Sequence, residues 1–208
     1  SKICQLIRNA KAPVIIAGGG IKFAKSSLAL GKLAERLAIP VTASAGHADV
    51  LPTDNPMFFG QLGPRGNNVA NQLTQGADVI LALGTRLGFN TTFYTYKDIS
   101  RDAKIVQIDI CEEAVGRYFP INIGIIGDVG PVIKGIDNEL KDFNNASVKW
   151  KKRNEIATDE RRLLWQSREN SGLSTKLPLS PERVFKELRD ILPKNSIITL
   201  DAGTLCLQ

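Results

Sequence analysis

From residue 1 to residue 140 short, continuous apolar runs alternate with amphipathic stretches, the pattern of βαβ units built around a parallel sheet. Val/Ile/Leu-rich runs at 13–17, 39–43, 78–83, 104–109 and 121–126 predict five strands, unbroken by polar residues because helices cover both faces. Between the first two, SSLALGKLAERLA (26–38) carries Leu28, Leu33 and Leu37 at helical spacing, with Leu30 and Ala34 widening the apolar face. Further helices are expected for KICQLIRNA near the start, for NNVANQLTQG (67–76) with Gly76 as its stop, and for 129–140. The predicted fold class is α/β, a Rossmann-like open, mainly parallel sheet with helices on both faces.

After Leu140 the pattern changes. Residues 141–168 mix bases with acids, and a helix is expected over about 147–168 with Trp150, Leu164 and Trp165 as apolar anchors. A loop-like SGLSTKLPLS follows. Then SPERVFKELRDILP opens with Ser180 as N-cap and Pro181 as first helical residue, with Val184, Leu188 and Ile191 along one face. A strand is expected at 196–200. The organisation predicted is a nucleotide-binding-like domain over 1–140, a charged helical connector over 141–179, and the start of a further domain over 180–208.

Composition narrows this picture. At 208 residues, with 43% apolar and 23% charged residues, the chain can bury a core. Its longest apolar runs fall far short of the roughly 20 residues of a membrane span, so no membrane role is expected. Cys4, Cys111 and Cys206 are widely spaced and His47 is the single histidine, which excludes a disulfide framework and a structural zinc site. Without a signal-peptide pattern the expected compartment is the cytoplasm. The net charge of +6 draws much of its excess from the mixed 141–168 stretch, which has no Gly/aromatic platform, so nucleic acid is not an expected partner.

Candidate chemistry collects at strand ends. The first strand runs into Gly18, Gly19 and Gly20, which suit either a tight strand-to-helix turn or backbone N–H groups facing a phosphate. The dinucleotide fingerprint fails at Phe23, and no acidic residue closes the second strand, so a nicotinamide-dependent dehydrogenase is disfavoured. LGTRLG brings Gly84 and Arg86 to the third strand's end, where Arg86 is either a phosphate or ribose contact or an ion-pair partner. Asp109 closes the fourth strand, placed for ribose hydroxyls or for capping. Pro64, Arg65 and Gly66 precede a helix, and could present N–H donors to an anion or form an interface loop. His47 has no nucleophile or carboxylate at motif spacing and is read as a loop residue; no catalytic and no metal-ligating residue is assigned.

Taken in order, AKAPVIIAGGG, LAIPVTASAGHADVLPTDNP, GQLGPRGNNVANQLTQGADVILALGTRL, AKIVQIDI and IIGDV strongly resemble the central domain of thiamine-diphosphate-dependent enzymes of the acetolactate synthase type, over roughly 7–140. LSPERVFKELRDILPKNSIITLDAGT resembles the beginning of that family's diphosphate-binding domain. The resemblance implies a parent enzyme using thiamine diphosphate and Mg²⁺ to decarboxylate or ligate 2-oxo acids. This stretch would be mainly scaffold, inactive by itself, and a possible binder of FAD or an ADP-type nucleotide. Carried over by resemblance, Gly18, Gly19, Gly20, Gly84, Arg86, Asp109, Gly127 and Asp128 line the nucleotide groove, and Asp201, Gly203 and Thr204 approach the cofactor's phosphates. Where acetolactate synthases carry Phe-Asp-Asp-Arg after the GxR turn, this chain has Leu87-Gly88-Phe89-Asn90, and Gly46-His47 stands in place of their Gly-Lys. The implied partners are the N- and C-terminal domains of the same polypeptide and further copies in a homo-oligomer, a dimer or tetramer. The opening Ser1 and the end at Gln208 directly after a strand-like run suggest a piece of a longer protein. The rival reading is a stand-alone nucleotide- or FAD-binding module without thiamine diphosphate chemistry.

Overall fold

The computed structural model describes residues 1–143 and 146–199, and divides the chain into two compact units, Ser1–Thr158 and Asp159–Gln208. In the first unit α1 (Lys2–Asn9) leads into β1 (Pro13–Ala17), all five of whose residues are buried. There follow α2 (Gly19–Phe23), α3 (Ser27–Leu37), β2 (Val41–Ala43), β3 (Phe58–Gln61), α4 (Asn68–Gln75), β4 (Val79–Leu83), α5 (Phe89–Thr92), β5 (Lys104–Asp109), a 3₁₀ turn at Glu112–Ala114, β6 (Ile123–Ile126) and α6 (Val129–Glu139).

The six strands form one parallel sheet in the order β3-β2-β1-β4-β5-β6. The chain starts in the middle, works outward to β3, then returns to lay β4 against the free side of β1. That reversal is the topological switch point of an open α/β sheet, and it opens a crevice outside the carboxyl ends of β1 and β4. The apolar runs explain the interior strands: β1 and β4 are buried throughout, with Ile15 beside Val41 on one side and Leu81 on the other. On one face of the sheet Ile15, Ala17, Val79 and Leu81 share a core with Ile7 of α1, Leu30, Leu33 and Leu37 of α3, and Ile133 and Ile136 of α6.

Three of the expected strands begin one or two residues later than expected, and β3 has no counterpart among the predicted strands. Its Phe58-Phe59-Gly60-Gln61 is too short and too glycine-containing to show period or length. The expectation of full cover on both faces fails at β6, an edge strand whose residues alternate between half-buried and exposed, leaving Ile126 58% exposed.

The charged stretch is a single helix, α7 (Ala146–Gly172), and its first half belongs to the first unit rather than standing in solvent. Trp150 is buried and donates from Nε1 to Ala10 O at 3.2 Å, while Arg153 donates to Pro13 O at 2.6 Å and Asn154 to Ala38 O at 2.7 Å. These side chains satisfy carbonyls at the ends of α1 and α3 and the start of β1, groups that would otherwise be left bare. In the second unit Ser180 caps α8 (Pro181–Ile191) by accepting from Arg183 N, with Pro181 in the first turn, as the sequence predicts. Gly172 lets α8 approach closely, since a Cβ there would lie 3.2 Å from Lys186 Cβ. The expected strand at 196–200 is not formed over 196–199, and Leu200 lies outside the described residues. A strand there would need a neighbour to pair with, and the second unit offers none among its described residues. Among the described residues no helix is long and apolar enough to cross a membrane.

Candidate functional site

The crevice at the switch point is a cleft of about 580 Å³, walled by the turns that follow β1, β2, β4, β5 and β6. Each of these five strands delivers one turn to it, so the site is assembled by the topology from residues far apart in sequence. Gly18, Gly19 and Gly20 lie in the turn after β1, and Gly84 follows β4. Their geometry answers first to packing: Gly18 N donates to Leu83 O and Gly20 N to Gly84 O, both at 3.0 Å. A Cβ on Gly20 would sit 2.6 Å from Gly84 Cα, and one on Gly18 would collide with the Gly84 carbonyl. Gly84 itself holds φ +59°, in the left-handed region that favours glycine. The two turns therefore interlock backbone to backbone, and two of the three glycine N–H groups point into that seam rather than at a ligand.

Arg86 is exposed on the cleft wall and makes no ion pair among the described residues, so its guanidinium is free for an anion. Beneath it the Ser44 and Thr85 hydroxyls share a buried hydrogen bond of 2.8 Å that ties the β2 turn to the β4 turn. Asp109 is mostly buried at the end of β5; its Oδ1 accepts from Cys111 N at 3.0 Å and stiffens that turn, as an Asx turn does. Asp128 caps α6, accepting from Gly130 N at 2.6 Å. Gly127 and Gly88 both face the cleft, and a Cβ on either would meet none of the described residues within 4 Å. Neither has the positive φ that demands glycine, so internal packing does not account for them.

Sequence reasoning missed several wall residues. Phe23, Phe89 and Ile110 give the cleft an apolar rim, 89%, 52% and 76% exposed respectively. Phe23 occupies the position at which the dinucleotide fingerprint fails and Phe89 lies in the stretch that departs from the acetolactate synthase pattern, whereas Ile110 carries no signal beyond following Asp109. His47, in the loop after β2, also lines the cleft. Burial and the nearby Lys22 ammonium hold its imidazole below the usual histidine range, with Asp49 opposing them. Lys22 bonds both Asp49 carboxylate oxygens at 2.9 Å. By contrast, the loop with Pro64, Arg65 and Gly66 is not part of the cleft wall. Asn71 clamps Gly63 through its N–H and carbonyl, Asn67 caps α4, and Gly66 fits against Gln61 O.

Thiamine diphosphate with Mg²⁺ does not fit the residues described. The Asp128 carboxylate serves a helix cap, and among the described residues no group of three or more His, Cys, Asp or Glu side chains is gathered for a metal. Asp201, Gly203 and Thr204, the expected approach to the cofactor's phosphates, lie outside the described residues.

Comparison with known proteins bears on the same region. The family model described as "Thiamine pyrophosphate enzyme, central domain" matches residues 1–136. A sulfoacetaldehyde acetyltransferase from Roseovarius nubinhibens is 32% identical over 97% of this chain and 36% of its own length. A probable acetolactate synthase large subunit from Methanocaldococcus jannaschii is 32% identical over 97% of this chain and 34% of its own length. A putative thiamine pyrophosphate-containing protein, YdaP, from Bacillus subtilis is 26% identical over 97% of this chain and 33% of its own length. The chain thus spans about a third of the length of these curated relatives. With its parallel sheet in the order β3-β2-β1-β4-β5-β6 and the matched segment ending within α6, the chain belongs to the thiamine pyrophosphate enzyme central-domain family.

Proposed function

We propose that the chain is the central scaffold of a thiamine-diphosphate- and Mg²⁺-dependent enzyme that decarboxylates or ligates 2-oxo acids, and that its switch-point cleft holds an ADP-type nucleotide. The printed names of the relatives, an acetyltransferase and acetolactate synthase subunits, support the reaction class. The cofactor chemistry belongs to other domains of the same polypeptide, in a cytoplasmic homo-oligomer.

The observation that carries the nucleotide reading is the cleft itself. It offers, among the described residues, a guanidinium without an ion-pair partner at Arg86, a carboxylate at Asp109, an exposed apolar rim, and two glycines with open space at the Cβ position. An anionic phosphate suits Arg86, ribose hydroxyls suit a carboxylate, and a planar base suits the rim formed by Phe23, Phe89 and Ile110. ADP, FAD and CoA share these groups. The chain by itself is expected not to turn over pyruvate when supplied with thiamine diphosphate and Mg²⁺.

Calorimetric titration tests the reading. ADP should bind, and Arg86→Ala should weaken it by about 1 to 3 kcal/mol, the loss of one charge-assisted hydrogen bond. Stronger binding of FAD or of CoA than of ADP would identify the larger ligand. Absence of heat with all three would leave the cleft a scaffold feature, and pyruvate turnover by the chain would contradict its role as scaffold.

A further inference from the structure

His47 has no part in the reading above, yet its placement is constrained from several sides. A Cβ on Gly19 would lie 2.8, 3.1 and 3.3 Å from Cε1, Nε2 and Nδ1 of the ring. Three ring atoms at nearly equal distance mean that the imidazole lies across Gly19, which any larger residue would displace. The backbone of His47 is fixed by its N–H to Ser44 O at 3.0 Å. Among the described residues Nδ1 is sealed from solvent with no hydrogen-bond partner, whereas Nε2 is not among the sealed polar atoms and has no bond partner. The ring belongs to the cleft wall.

We propose that His47 is a ligand-contacting residue of the cleft, donating from Nε2–H to a phosphoryl oxygen of the bound nucleotide. This rests on the nucleotide reading and adds to it a second anion contact with a fixed direction. A neutral imidazole carries one N–H, and placing it on Nδ1 would strand a buried donor without an acceptor. The proton therefore sits on Nε2, where water or a ligand can accept it. The charged groups around the ring are Lys22, whose ammonium disfavours an imidazolium, and Asp49, which favours one and is itself paired with Lys22. Burial adds to the Lys22 effect, so the ring acts as a neutral donor at neutral pH.

The strand order gives the ligand a direction. His47 follows β2, Arg86 follows β4, and Asp109 and Asp128 follow β5 and β6, so the β2 and β6 turns are separated by four strand spacings, about 19 Å. The donors occupy one side of the cleft and the carboxylates the other. Phosphates thus face His47 and Arg86, and the hydroxyl-bearing sugar faces Asp109.

His47 is the only histidine of the chain, so its ring nitrogens give a single set of ¹⁵N imidazole signals. The expected spectrum of the free chain shows the Nε2–H tautomer near pH 7, and ADP shifts the Nε2 signal more than adenosine does. Calorimetry on variants completes the test. His47→Ala should weaken ADP roughly tenfold and adenosine by less than about twofold, the loss of one hydrogen bond to a charged acceptor. His47→Gln, which keeps a donor near the Nε2 position, should stay within about threefold of the parent chain. A proton found on Nδ1, or ADP affinity unchanged in His47→Ala, overturns the proposal while leaving the nucleotide reading standing. A parent chain that binds no ADP overturns both.

Discussion

Glycine serves two different purposes around the cleft, and the distinction can be measured residue by residue. Gly20 and Gly84 keep two turns in backbone contact, whereas Gly127 has none of the described residues within 4 Å of its absent Cβ. Gly20→Ala should therefore destabilise the fold by about 1 to 3 kcal/mol, the usual cost of overpacking where backbone must give way. Gly127→Ala should change stability by less than about 0.5 kcal/mol, as at an unencumbered surface position, and should instead weaken ADP. Urea midpoints at constant slope measure the first pair of values, and titration measures the second. If the two variants were equally destabilised, the assignment of Gly127 to ligand clearance would fail. The glycine-rich turn was visible in the sequence, and both of its readings were open. Only the pairing of Gly18 and Gly20 with Leu83 and Gly84, across more than sixty residues of chain, shows where their N–H groups go.

At the scale of elements, long apolar runs and capped helices were legible, and short elements were not. β1, β5, α3 and α8 were readable because each carries a full period or an N-cap signal within itself, such as Ser180 followed by Pro181. β3, α2 and α5 have four or five residues each and borrow their stability from neighbours, so no local pattern marks them. α7 misled for a different reason. Its halves belong to different compact units, so its apolar residues follow no single face, and the charge that covers the helix hides the anchor at its start. That anchor gives a direct test. Trp150 is buried against the first unit and closes on Ala10 O, so Trp150→Ala should cost about 3 to 5 kcal/mol of the stability of that unit. A midpoint of thermal or chemical unfolding close to that of the parent chain would show α7 to be a tether after all.

For the whole molecule, the decisive feature is the order in which the strands are laid down. A chain that begins at the sheet's centre and reverses between β3 and β4 must leave a crevice beside β1, and every turn that the resemblance singled out, after β1, β4, β5 and β6, opens into it. Alternating runs and helices in the sequence establish the fold class, but not the strand order that turns scattered residues into one cleft. His47, Phe23 and Ile110 became wall residues through that order alone. The central claim is that this cleft is a nucleotide site, and the most direct measurement is an amide ¹H–¹⁵N shift map of the chain titrated with ADP. The account predicts saturable shifts concentrated at Gly19, Gly20, Arg86, Ile110 and Gly127, with the outer faces of α3 and α6 unmoved. Shifts gathered on any other surface, or none at ADP concentrations in the millimolar range, would contradict it.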